Sequence, residues 1–132
     1  MKKIVKGKFE VKSTPEPMDE TLQVIGAMRM KFDKSFEGAL DARGTVSMMG
    51  ILDQKIGSGG YVALEHIVGT LEGKSGTFHL QHSCTMNKGA QHQTIAVVPD
   101  SATGELKGLT GQMTIEIATG GQHFYIFEYE II

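Results

Sequence analysis

The chain has 132 residues, 40% hydrophobic and 21% charged, the make-up of one soluble globular domain spanning residues 1–132. Its formal net charge of −2 excludes a module held to nucleic acid by a basic stripe. The single cysteine, Cys84, excludes an internal disulfide, and no stretch approaches the ~20 apolar residues that a membrane-spanning helix needs.

Residues 2–14 alternate in character. Lys2, Lys3, Lys6, Lys8 and Lys12 make the solvated face of a first strand, interleaved with Ile4, Val5, Phe9 and Val11. Met-Lys-Lys resembles the start of a leader peptide, but Lys6, Lys8, Glu10 and Lys12 interrupt any apolar core, so the expected compartment is the cytoplasm. Pro15 and Pro17 end the strand in a loop. The run Thr21–Phe32 has period two, with Leu22, Val24, Met28, Met30 and Phe32 on one face, which predicts a second strand. At most a helical turn is expected near Met18–Gln23.

Phe36–Ile51 is the third run, with Phe36, Leu40, Val46 and Met48 on one parity and Gly38 and Gly44 among them. Glycine inside a strand often marks a bend or a close approach by neighbouring backbone. After a Gly-rich connection, Tyr61–Leu71 and Thr77–Met86 form a hairpin. Asn87-Lys88-Gly89 signals the next turn, and Gln91–Val98 is a strand that stops at Pro99. A turn-rich loop (PDSATG) follows, then Gln112–Ala118 and His123–Ile131 around Gly120-Gly121. The prediction is all-β, with eight antiparallel up-and-down strands and little or no helix. Eight such strands close into a barrel, because closure removes exposed edges.

Several strands are apolar on both parities. In the fourth, Tyr61, Ala63 and Ile67 oppose Val62, Leu64 and Val68. The outside of the barrel is therefore expected to pack on a second copy, as a homo-oligomer.

The candidate site lies in the central hairpin. A turn at Gly73-Lys74 places Glu65 opposite His82, whereas one at Lys74-Ser75 places Glu65 opposite Cys84 with His82 diagonal. Either even-length loop keeps Glu65, His82, Cys84 and Tyr61 on one face. A carboxylate beside an imidazole fixes its tautomer, and in a lumen such a pair can move a proton on or off a ligand. Glu65 and His82 are the candidate catalytic residues. Tyr61 and Cys84 are candidate ligand-binding residues.

So are Glu116 and Tyr125, which a Gly120-Gly121 turn would place opposite one another, and Arg29 and Arg43, which could meet an anionic ligand. A three-residue Asn87-Lys88-Gly89 loop would set Cys84 opposite His92, with His82 nearby, as a three-ligand zinc set. That spacing has no recognised metal signature. Gly57-Ser58-Gly59-Gly60 lacks the lysine and helix of a phosphate loop. No metal or cofactor is assigned.

Two stretches carry a resemblance. One is Tyr61–His82, with Y-x-A-x-E followed by Gly-x-Leu-x-Gly-x-Ser-Gly-x-Phe and Gln-His. The other is VPDSATGELKGLTGQMTI with GGQHFYIFEY, spanning Val98–Tyr129. Together they resemble a bacterial family of unknown function whose members are small barrels similar to the allene oxide cyclase barrel of plants. Ala102 stands where that family usually has glycine. The resemblance implies an eight-stranded barrel that self-associates, and it implies no particular activity. The expected function is binding of a small, largely apolar molecule, with isomerase- or cyclase-like proton transfer by Glu65 and His82. The alternative is a non-catalytic oligomer with a filled lumen that acts through its surface.

Overall fold

The computed structural model describes residues 2–132. Eight strands follow the chain in order: β1 (Lys3–Pro15), β2 (Met28–Phe36), β3 (Leu40–Asp53), β4 (Ser58–Leu71), β5 (Lys74–Asn87), β6 (Ala90–Val97), β7 (Leu109–Ile117) and β8 (His123–Ile131). Each pairs antiparallel with its neighbour, and β8 closes on β1 from Lys3–Tyr129 to Phe9–His123. The eight-stranded antiparallel up-and-down barrel expected from strand alternation is what the chain forms.

One stretch corrects the sequence reading. The first part of Thr21–Phe32 is a short helix, α1 (Glu20–Ile25), and β2 begins only at Met28. The Asp19 carboxylate accepts from the Leu22 amide at 2.9 Å, and Gly26, at φ 79°, donates to the Gln23 carbonyl. These are ordinary N- and C-terminal caps. They outweigh the alternation, which leaves Val24 88% exposed while Leu22 is buried. Leu22 and Ile25 share an outer groove with Met49 and Val62 of β3 and β4.

The barrel is filled at one end and open at the other. At the closed end lie the β2–β3 and β4–β5 turns and the loop between β6 and β7. Phe36, Leu40, Ile67, Leu71, Phe78 and Phe127 pack there with Leu106, and Phe78 and Phe127 stack at 6.0 Å. The β6–β7 seam is the thinnest, with Ala96–Gln112 its one strand pairing. The PDSATG loop compensates by pairing with β5 instead: Ser101 Oγ accepts from the His79 amide, and the Thr103 amide donates to the Thr77 carbonyl.

Tyr125 pins the closed end. Its hydroxyl accepts from the Leu40 amide at 3.0 Å and donates to the Glu37 carbonyl at 2.8 Å. Gly7 permits this, since a Cβ there would lie 2.4 Å from the Tyr125 oxygen.

Candidate functional site

The β4–β5 turn is Glu72-Gly73, with φ of 47° and 82°. A two-residue hairpin of this kind needs positive φ at both central positions and favours glycine at the second. That preference selects Glu72-Gly73 over both placements expected from sequence. The loop is still even, so Tyr61, Glu65, His82 and Cys84 do share the inner face. The register differs: Glu65 pairs with Leu80, His82 with Ala63 and Tyr61 with Cys84. Glu65 and His82 are diagonal neighbours, and the long glutamate spans the gap to place Oε1 2.8 Å from His82 Nε2.

Lys34 joins them from β2, with Nζ 3.3 Å from the same Glu65 Oε1. It also lies over the Phe9 and Phe36 rings, at 5.1 and 5.8 Å. Lys34 and Glu65 meet across β3 because Gly44 stands between their strands. A Cβ on Gly44 would sit 2.3 Å from Glu65 Oε2. Glycine at this inward position is thus what lets the ion pair form. All three groups are buried, Glu65 completely. Oε2 of Glu65 has no hydrogen-bond partner among the described residues, a rare condition that marks functional candidates. An ionised carboxylate only accepts, so Nε2 of His82 carries the proton and Nδ1 is the basic nitrogen.

Lys34 and His82 line a cavity of about 430 Å³ at the open end, a volume typical of small-molecule sites, while the fully buried Glu65 is not among its lining residues and reaches it only through those two partners. Phe9, Val11, Phe32, Val46, Met48 and Ile115 supply apolar walls. Lys34, His82, Tyr61, Gln91, Gln93 and His123 are the polar groups. Tyr61 Oη accepts from Gln93 Nε2 at 2.7 Å, which leaves its own proton to donate.

The other sequence candidates lie elsewhere. Cys84 is buried beneath Tyr61, its Sγ 3.7 Å from the Thr85 carbonyl. The expected Glu116–Tyr125 pairing is corrected: the β7–β8 loop holds five residues, so Ile115 pairs with Tyr125 and Glu116 with Phe124. That odd length sends Glu116 outward, while the hydroxyl of Tyr125 is consumed by backbone at the closed end. Arg43 is exposed on the outer face, and Arg29 lies half-buried in the outer groove beside α1.

The zinc set is also corrected. The β5–β6 turn is Lys88-Gly89, with two residues rather than three, so Cys84 pairs with Gln93 and His92 points out. Among the described residues no three His, Cys, Asp or Glu side chains group as metal ligands.

Lys34 is the residue that sequence reading missed. It falls on the inward parity between Phe32 and Phe36, and ending the second strand at Phe32 hid that signal.

All three tyrosines resist ionisation, chiefly because burial disfavours the phenolate. Tyr61, Tyr125 and Tyr129 are each raised above the ordinary value of 10.0, and Tyr129 also faces the Glu72 carboxylate, to which it donates. Raised values mean that the folded state prefers the neutral phenol. This stabilisation is complete below pH ~10 and is lost as pH rises through the folded-state values. Tyrosinate absorbance should therefore stay flat through pH ~10 and then rise together with loss of structure by circular dichroism. A smooth titration centred on pH ~10 in intact protein would contradict the burial.

Fold and site together define a small closed β-barrel, half filled and half open, with a buried Lys–Glu–His cluster whose lysine and histidine line its cavity. The chain belongs to the family described as "Protein of unknown function (DUF3224)", whose model matches residues 5–129. It is similar to the crystal structure of a DUF3224 protein of unknown function from Shewanella oneidensis MR-1. The two share 42% identity and a TM-score of 0.91, over 100% of this chain and 99% of that one. No curated protein matches the chain.

Proposed function

We propose that this protein binds a small, largely apolar molecule in the open half of its barrel, where Glu65 and His82 move a proton on or off it. The observation that carries this reading is the buried Glu65–His82 contact, 2.8 Å long, whose histidine lines the 430 Å³ cavity. Apolar walls would hold the body of the molecule. Lys34, Tyr61 and the glutamines offer donors to an oxygen-bearing end. Nδ1 of His82 would take a proton from a carbon beside that oxygen and return it elsewhere, which is isomerase- or cyclase-like chemistry.

The protein would work in the bacterial cytoplasm, where its one free thiol stays reduced. Among the described residues no helix is long and apolar enough to cross a membrane.

Native mass spectrometry of protein taken from cells tests the binding, with a retained small molecule as the expected result. In heavy water, a carbon-bound hydrogen of that molecule should exchange, and Glu65→Gln should slow the exchange by about 10²-fold or more. Unchanged exchange in the variant would remove the pair from the mechanism.

The outer face favours self-association as a second property. Met49, Ile51, Val62, Leu64 and Val68 of β3 and β4 are each at least 45% exposed and lie side by side on the outer face. A contiguous exposed apolar patch of this kind is the usual mark of a protein–protein contact. The expected partner is a second copy of the chain. Light scattering should give at least a dimer, and Leu64→Lys should return it to a monomer. A monomer at every concentration would refute the association.

A further inference from the structure

We propose that Lys34 captures carbonyl compounds covalently, as an imine, which makes aldehydes and ketones the ligand class of the cavity. The inference rests on the binding reading above and goes beyond it in assigning a nucleophile. Lys34 lines the cavity, is only 9% exposed, and has the packed rings of Phe9 and Phe36 beside its ammonium. A desolvated lysine in an apolar pocket is the usual setting of an imine-forming amine. The other lysines of the chain are not buried, so none shares this environment.

The cluster supplies each proton step. The resting ammonium is 3.3 Å from Glu65 and passes its proton to that carboxylate. Oε2, which has no hydrogen-bond partner among the described residues, can carry the proton while Oε1 keeps its bond to His82. The freed amine adds to the carbonyl carbon, the carbonyl oxygen takes up the proton held by Glu65, and the nitrogen gives one of its own protons back to Glu65, leaving a neutral carbinolamine. The nitrogen lone pair then forms the C=N bond as the hydroxyl takes that proton from Glu65 and leaves as water. In sum, ammonium and carbonyl give iminium and water, with no change of oxidation state and no cofactor. The iminium nitrogen bears the same positive charge as the ammonium it replaces. Glu65 and the rings of Phe9 and Phe36 therefore stabilise the product as they do the resting state. An iminium also acidifies the neighbouring carbon, within reach of the base assigned to His82.

The test uses cyclohexanone with sodium cyanoborohydride on the intact protein, followed by peptide mapping, with cavity occupancy read from the NMR shift of the Met48 methyl group. A ketone reacts poorly with exposed lysines. The expected result is one reduced adduct per chain, on Lys34, formed at least about ten-fold faster than on any other lysine. Lys34→Arg keeps a positive charge beside Glu65 and should fold, shown by an unchanged circular dichroism spectrum, and yield no adduct. A shifted Met48 signal without an adduct on Lys34 would overturn this inference and leave the binding reading intact. An adduct pattern unchanged by Lys34→Arg would overturn it too. With neither shift nor adduct, both would fall.

Discussion

Replacing Lys34 with methionine is expected to destabilise the barrel by about 3–5 kcal/mol, because it leaves the Glu65 carboxylate buried without its cation. Glu65 is fully buried and Lys34 nearly so, so solvent cannot take the place of the lost partner. His82 remains 2.8 Å away and reduces the loss only if it takes up a proton. The double variant Lys34→Met with Glu65→Leu should recover most of the loss, since exchanging a buried ion pair for apolar groups of similar size is often near neutral. Urea unfolding of the wild type, both single variants and the double variant closes the cycle. A loss below about 1 kcal/mol for Lys34→Met would mean that the pair is solvated, as surface pairs are. It would also remove the desolvated lysine on which imine formation depends.

The second large effect separates the two halves of the barrel. Phe127 is fully buried and stacks on Phe78 at the closed end. Phe127→Ala should cost about 3–5 kcal/mol, as aromatic truncations in filled cores do. Phe32 is a similar ring on the inner face, but it is half-buried and lines the cavity. Phe32→Ala removes a wall already open on one side and should cost only about 1 kcal/mol. It should instead enlarge the cavity and change which molecule is retained. Equal costs at the two sites would mean that the lumen is packed along its whole length, which is what the non-catalytic alternative requires.

Much of the site was legible in the sequence because strand parity is local. Tyr61, Glu65, His82 and Cys84 needed only an even-length turn to share a face, and any even turn suffices. Their exact partners needed the turn itself, and Glu72-Gly73 won because glycine suits the second left-handed position. Where loop length was misjudged by an odd number of residues, one at β5–β6 and three at β7–β8, parity inverted: His92 and Glu116 moved to the outer face. The helix α1 had its signals in Asp19 and Gly26, but alternation of Leu22, Val24, Met28 and Met30 masked them.

The sequence by itself determined the barrel, because eight alternating runs separated by turns have few other ways to hide their edges. It also determined that Glu65 and His82 face the same way. Only the tertiary structure decided that the lumen is filled at one end and open at the other, since this depends on how side chains from all eight strands share one volume. It alone brought Lys34 to Glu65. Those residues lie on strands that do not pair, and they meet only because closure curves the sheet and Gly44 leaves the space between them empty.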